Sequence, residues 1–118
     1  MMTKIKERWT NELEVSNFTN AEGTPTGGTV TGVGLAIKWQ EGALKEPDGT
    51  EHEPNGAFVE DVILAAIQRL NYFQTESNRK FATREGACAI THLEEALMWL
   101  DKRHDNRVAR GVQGFHKV

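Results

Sequence analysis

Apolar residues in the second half of the chain recur at the spacing of an α-helix in two stretches. In residues 82–118 the recurring positions are Ala89, Leu93, Ala96 and Leu100. In residues 57–77 they are Val59, Ile63, Ala66, Leu70 and Phe73. Because residues three or four apart share one face of a helix, both stretches predict amphipathic helices. Two such helices with a short connection predict an antiparallel helical hairpin.

Residue types at the ends of these stretches indicate where the helices begin and end. Asn55 is a reasonable N-cap for the first helix, and Thr83 with Glu85 in the following turn is a fair start for the second. We expect the second helix to end before Gly111 and the segment Phe115-His116 to dock back onto the fold.

The first half of the chain has the pattern of a small β part. Residues 29–40 alternate as one strand, and the face predicted to point to the core consists of Val33, Leu35, Ile37 and Trp39. Gly32 and Gly34 fall on the other face, which indicates a bulge or a close approach of another backbone. Residues 4–16 fit either a strand or a short helix, and residues 17–28 have the composition of a turn.

Residues 41–56 form an acidic loop with a predicted turn at residues 47–49. We interpret His52, which lies in the same loop, as solvated.

The resulting fold class is α+β: a small N-terminal antiparallel β part, then a long antiparallel two-helix hairpin. We expect one domain over residues 1–118, with the β part and acidic loop in 1–55 and the hairpin with its basic end in 56–118. Apolar residues outside the two seams exceed what one small sheet can cover, so we also expect self-association through the helices: Val62, Ala65, Ile67, Ile90, Leu97 and Trp99.

The net charge of −3 conceals an uneven distribution. Residues 1–100 carry a charge of −6 and residues 101–118 a charge of +3. Arg103, Arg107 and Arg110, the arginine row, continue the apolar stripe that ends at Leu100. Guanidinium groups suit phosphate, so the row is a candidate anion site. Two other interpretations stay open: cations complement the negative end of a helix, and arginine stems cover apolar surface.

Residues that carry catalysis or bind metals do not form a recognisable set. The four histidines, His52, His92, His104 and His116, lack the spacing of metal ligands. Glu94-Glu95 fits a solvated helix face rather than an acid–base pair. A single cysteine, Cys88, fits a reducing compartment and a packed thiol, and neither a membrane helix nor a signal peptide is expected. These features favour a binding protein without metal or cofactor over an enzyme.

Several segments resemble a known family over about residues 56–118. They are GAFVEDVILAAIQRLNYFQ, KFATREGACAITHLEEALMWLDKR and RVARGVQGFHKV, and LAIKWQEG resembles the strand before that family's loop. The chain resembles the phage Thoeris anti-defence signal-sponge family, which contains the Acb/Tad hairpin domain. The resemblance implies a non-enzymatic protein of the host bacterial cytoplasm that sequesters cyclic ADP-ribose signals (the 1''-2' and 1''-3' glyco-cyclic isomers) from TIR-domain Thoeris immunity. Some members of the family form hexamers, so we expect a homodimer or hexamer. The acidic charge of residues 1–100 argues against a nucleic acid polymer as partner, and the lack of a long apolar run argues against a membrane.

The resemblance further implies roles for individual residues. Arg103 and Arg107 match the family's paired arginines and would hold the pyrophosphate, with Arg110 extending the row. Adenine would stack on an aromatic side chain near the hairpin turn, Phe73 or Phe81. The family's Arg-Glu-Asn at the start of the second helix is Arg84-Glu85-Gly86 here, so we expect isomer preference or affinity to differ.

Helix geometry limits how these residues combine. Gly86 and Arg107 are 21 residues apart, which is about 30 Å along one helix. One nucleotide-sized ligand cannot contact both ends of that helix, so a shared pocket requires two chains. The alternatives are a sponge for the cyclic di- or trinucleotides of CBASS immunity, a nucleic-acid or protein-binding module that uses the basic end, and an enzyme that hydrolyses the nucleotide.

Overall fold

The computed structural model describes the backbone of residues 2–6 and the whole of residues 12–111 and 114. Four strands come first: β1 (Met2–Lys6), β2 (Glu12–Thr19), β3 (Pro25–Gly32) and β4 (Leu35–Lys38). Two helices follow, α1 (Val59–Thr75) and α2 (Arg84–Ala109), with a short 3₁₀ segment (Ser77–Arg79) between them. The α+β class predicted from the sequence is therefore confirmed.

The described residues divide into two compact units. The first unit ends at Phe58 and takes in Gly114, and the second begins at Val59. The prediction that the whole chain forms one domain stays a prediction, as does self-association. The predicted docking of Phe115-His116 lies outside the described residues.

The first unit is built on a four-stranded antiparallel sheet whose strands follow one another in chain order. Val15 pairs with Val30 between β2 and β3, and Ile5 pairs with Leu13 between β1 and β2. The open question about residues 4–16 is thus answered, because parts of two strands lie there.

The prediction of one strand over residues 29–40 is wrong. The chain reverses at Val33-Gly34, so that Gly32 pairs with Leu35 across a two-residue turn. Gly34 has φ +78°, which glycine adopts without strain, and Val33 is 81% exposed rather than in a core. A Cβ at Gly32 would lie 2.6 Å from Leu13 Cδ2, so the close neighbour there is a side chain and not the expected backbone.

The turn predicted over residues 17–28 is shorter in the structure. β2 continues to Thr19 and β3 starts at Pro25, so Gly28 lies in a strand. The reversal occupies residues 20–24, where the Asn20 side-chain carbonyl accepts hydrogen bonds from the backbone N–H groups of Glu22 and Thr24. This Asx geometry explains why a tight reversal suffices.

The structure corrects the role predicted for Asn55 in the acidic loop. Asn55 does not cap α1, which begins four residues later. Its side chain instead accepts from Glu41 N at 2.8 Å and donates to Glu41 O at 2.9 Å, and its own N–H donates to Gln40 Oε1. Asn55 therefore closes the loop onto itself. The turn predicted at residues 47–49 is confirmed by the bond from Gly49 N to Glu46 O.

The second unit is the predicted helical hairpin. Thr83 caps α2, because its hydroxyl accepts from Gly86 N at 2.9 Å, and α2 ends at Ala109 before Gly111. All four predicted seam residues of α2 are half-buried, whereas in α1 only two of five are, Ile63 and Leu70. Cys88 is exposed, so the expectation of a packed thiol is wrong.

Apolar burial within this unit is shallow. No residue of α1 is buried, and the only buried residue of α2 is an arginine. Among all side chains that the structure describes, no apolar one is buried. The hairpin therefore leaves much of its apolar surface open to further contacts.

Candidate functional site

The arginine row occupies the end of α2, as the sequence predicted. Arg107 is only 7% exposed and is the one buried charged residue among those with a described side chain, whereas Arg103 and Arg110 are exposed. Helical spacing assigns Arg103 and Arg107 to the same face, so it does not predict that Arg107 alone is buried. Arg110 Nε donates to Asn106 Oδ1 at 2.9 Å, which directs its side chain back along the helix.

Electrostatics at this helix end are unfavourable to further positive charge. Burial lowers the pKa of the Arg107 guanidinium, and the neighbouring positive charges of Arg103 and Arg110 lower that pKa further. The guanidinium still keeps its proton, because arginine is protonated under all ordinary conditions. An anion placed among the three side chains would offset both the burial and the mutual repulsion.

Three aromatic residues lie together at the other end of the hairpin and form the aromatic patch: Tyr72, Phe73 and Phe81. The rings of Phe73 and Phe81 meet edge to face, with centroids 6.4 Å apart, and those of Tyr72 and Phe73 are 6.1 Å apart. Phe81 is 57% exposed, Tyr72 47% and Phe73 38%. Exposed rings at this density offer flat faces on which a base can stack.

Two cations cover parts of the aromatic patch. The Arg69 guanidinium carbon lies 4.7 Å from the Phe73 ring centroid and 5.3 Å from that of Tyr72. Lys80 Nζ lies 5.7 Å from the Phe81 centroid. Sequence reasoning had not included Arg69, although its position three and four residues before the two rings is a signal that helical spacing offers.

Arg84 and Gly86 lie in the first turn of α2, close in sequence to the patch. Arg84 is exposed and Gly86 is half-buried. The structure thus brings Phe73, Phe81, Arg84 and Gly86 to one end of the hairpin. It leaves Arg103, Arg107 and Arg110 at the far end of the same continuous helix, about 30 Å away.

A polar cleft of about 340 Å³ lies in the first unit, beside the acidic loop. Its lining includes Glu41, Glu46, His52 and Glu53, and His52 Nε2 lies 3.2 Å from Glu46 Oε1. His52 is nevertheless exposed, as the sequence predicted. Within the described part of the chain, three or more His, Cys, Asp or Glu side chains never come together as a metal would require. No described helix is long and apolar enough to span a bilayer.

Comparison with known proteins identifies relatives of the hairpin. A family model described as "Acb2/Tad1, hairpin domain" matches residues 33–103. The protein "Thoeris anti-defense 1" of Bacillus phage SBSphiJ7 is 56% identical over 68 residues, which are 58% of this chain and 46% of that protein. The chain thus spans about half the length of this curated relative. The family match covers the aromatic patch and Arg103, whereas Arg107 and Arg110 lie beyond it.

Proposed function

Because the chain belongs to the Acb2/Tad1 hairpin-domain family, we propose that it is an anti-defence sponge that binds cyclic ADP-ribose signals and holds them without cleaving them. The ligands would be the 1''-2' and 1''-3' glyco-cyclic isomers made by TIR-domain Thoeris proteins in the cytoplasm of the infected host. The name of the phage relative supports the Thoeris context. The structural observation that carries the proposal is Arg107, a nearly buried guanidinium between two further arginines.

In this proposal the arginine row holds the pyrophosphate. Arg103 and Arg107 lie four residues apart on α2 and so share a face. Their forked donors match phosphate oxygens in charge-assisted hydrogen bonds. Burial, and after it repulsion from both neighbours, lowers the pKa of Arg107, and a bound dianion would counteract the repulsion. The free protein would therefore hold a preformed positive site whose electrostatic cost is relieved on binding.

The aromatic patch supplies the stacking surface for adenine, and its geometry favours Phe81 over Phe73. Phe81 exposes 57% of its surface and Phe73 only 38%, with the Arg69 guanidinium over the Phe73 ring. A base on Phe73 would have to displace Arg69 at 4.7 Å, whereas the cation beside Phe81, Lys80, lies farther from its ring at 5.7 Å. Stacking of a base on an aromatic side chain contributes roughly 1–3 kcal/mol.

One ligand reaches both the arginine row and the patch only if they come from different chains, because α2 separates them by about 30 Å. The exposed apolar surface supports this arrangement. Trp99 and Met98 on α2 are 69% and 68% exposed, and no described apolar side chain is buried. A homodimer or hexamer assembled through the helices would cover such surface and place two complete pockets by symmetry.

Two alternatives use the same features. Cyclic di- and trinucleotides of CBASS immunity also combine phosphates with bases, so they belong in any binding test, alone or in addition to cyclic ADP-ribose. A nucleic-acid or protein-binding module would use the basic helix end, and its binding to polymeric DNA or RNA would fall steeply with salt. The charge of −6 on residues 1–100 weighs against that module.

A release assay tests the proposal. The purified chain is incubated with each cyclic ADP-ribose isomer and each cyclic oligonucleotide, filtered and heated, and mass spectrometry identifies what is released. We expect intact cyclic ADP-ribose in the heated fraction. A hydrolysed product would identify an enzyme, and release of nothing would contradict the proposal.

Variants then locate the site. Arg103→Met and Arg107→Met should each weaken binding by about tenfold to a hundredfold, since a hydrogen bond to a charged group contributes about 1.5–3 kcal/mol. Lys38→Met removes the same charge from the exposed surface of β4 and should leave affinity unchanged. Light scattering supplies the second criterion, because a strictly monomeric protein that still binds tightly would exclude the shared pocket.

A further inference from the structure

Gln74 in the last turn of α1 holds the two ends of the hairpin connection together. Its Nε2 donates to Thr83 O at 2.9 Å, and its Oε1 accepts from Thr83 N at 2.8 Å. One side-chain amide thus satisfies both backbone groups of a residue nine positions away, in the manner of a paired strand. Such a two-bond contact fixes orientation as well as distance.

The neighbouring residues are arranged to accept this amide. Thr83 uses its hydroxyl to cap α2, so its backbone and its side chain are both engaged. Gly86 provides the space: a Cβ there would lie 3.0 Å from Thr83 Oγ1 and 3.2 Å from Gln74 Oε1, closer than ordinary van der Waals contact. The absence of a side chain at position 86 therefore lets the Gln74 amide approach the start of α2.

The connection that Gln74 closes has an unfavourable backbone. Ser77, Asn78 and Arg79 have φ values of +51°, +54° and +64°, a left-handed conformation that residues other than glycine rarely adopt. Three such residues in succession persist only if surrounding contacts enforce them. The Gln74–Thr83 pair spans this segment and is positioned to do so.

The hairpin connection also separates the two residues whose rings meet in the aromatic patch. Phe73 directly precedes Gln74, and Phe81 lies two residues before Thr83. Their rings meet edge to face at 6.4 Å. We propose that Gln74 is a positioning residue for nucleotide binding, which by clamping Thr83 holds the Phe81 ring where a base stacks. This inference rests on the proposed function for the identity of its ligand. The effect of Gln74 on the position of the Phe81 ring does not depend on that function.

The experiment compares Gln74→Met, which keeps the length of the side chain and removes both hydrogen bonds, with Gln68→Met on the exposed surface of α1. Binding of 1''-3' glyco-cyclic ADP-ribose is measured by calorimetry in the wild-type and Phe81→Ala backgrounds. We expect Q74M to weaken binding at least tenfold in the wild-type background and less than twofold when Phe81 is already absent. Q68M should have no effect. Equal losses in both backgrounds would overturn the proposal, because they would show a general structural defect.

A second measurement does not depend on the ligand. The cross-relaxation signal between the Phe73 and Phe81 rings is recorded by NMR in each variant. We expect it in the wild type and in Q68M and expect its loss in Q74M, with helix content by circular dichroism unchanged. Persistence of the signal in Q74M would refute the positioning role. If the wild type binds no cyclic ADP-ribose but the signal depends on Gln74, the proposed function fails while the clamp stands.

A more conservative variant tests the same contact if Q74M does not fold. Gln74→Glu keeps the acceptor for Thr83 N but, when ionised, cannot donate to Thr83 O. We expect its ring signal and affinity to fall between those of the wild type and Q74M. Should Q74M fail to fold, Q74E decides the question, since wild-type affinity and an unchanged ring signal in Q74E would contradict the two-bond clamp.

Discussion

The substitution Gly86→Ala has two opposing effects of similar size on the free energy of unfolding. Alanine is favoured over glycine inside a helix by about 1 kcal/mol. The new Cβ, however, would lie 3.0 Å from Thr83 Oγ1 and 3.2 Å from Gln74 Oε1, so both atoms must move by a few tenths of an ångström. A hydrogen bond contributes about 1 kcal/mol net, and the displaced Gln74 amide would lose part of two such bonds. We therefore expect little change in the free energy of unfolding, within about 0.5 kcal/mol.

Removing the Gln74 side chain should make the helix preference of alanine over glycine at position 86 measurable. In a Gln74→Ala background the crowding at Oε1 is absent and only Thr83 Oγ1 remains close, so Gly86→Ala should stabilise the protein more than in the wild type, by up to about 1 kcal/mol. Ala87→Gly, at the exposed next position of α2, gives the reference cost of a glycine in this turn. All variants are compared by urea unfolding at one protein concentration, since assembly would make stability depend on it.

The difference between the effects of Gly86→Ala in the two backgrounds tests the contact between Gln74 and Gly86. Stabilisation by Gly86→Ala of the same size in both backgrounds would mean that Gln74 does not pack on Gly86, and the account of the clamp would be refuted. A large loss in the wild-type background would instead mean that the neighbours cannot move, and the coupling with Gln74 would then exceed about 1 kcal/mol.

Further expectations concern single positions. Thr83→Ala should cost about 1 kcal/mol of unfolding free energy and Thr83→Ser much less, because only alanine removes the cap of α2; equal losses by urea unfolding would contradict the cap. Gly28→Ala should destabilise the protein by about 1–3 kcal/mol in the same assay, since its Cβ would overlap the backbone oxygen of Ser16, and a neutral result would show that the strands move apart easily. The Asp48 carboxylate accepts from Thr50 N at 2.9 Å, which lowers its pKa. The stabilisation is therefore present above the unfolded-state pKa and is lost as the pH falls through the lower folded value; NMR titration of Asp48 at its ordinary pKa would refute this.

The arginine row shows how far spacing alone carries a site prediction. Continuing the stripe from Leu100 predicted three arginines at the end of this helix, and the structure places Arg103 and Arg107 within α2 and Arg110 at its C-cap. Their degree of burial was not predictable. Arg107 is nearly covered while Arg103 remains exposed, and a periodic pattern assigns both to the same face. Burial depends on what lies above the helix, which is a property of tertiary structure.

The sheet shows the opposite case, in which a regular pattern misled. Apolar residues at every second position continue from Val33 to Trp39, and alternation predicts one strand. A two-residue turn at Val33-Gly34 leaves the alternation intact, so the pattern contains no sign of the reversal apart from the glycine itself. Asn55 was misassigned for a related reason, since a side chain able to cap a helix is equally able to bond a loop backbone.

The sequence by itself determined the two helices, the cap at Thr83 and the end before Gly111, because these features depend on residues within a turn or two of each other. Only the tertiary structure decided the hairpin reversal in the sheet, the burial of Arg107 and the two hydrogen bonds between Gln74 and Thr83. Each of these depends on groups that approach through space, and no local pattern records which distant backbone a side chain will meet.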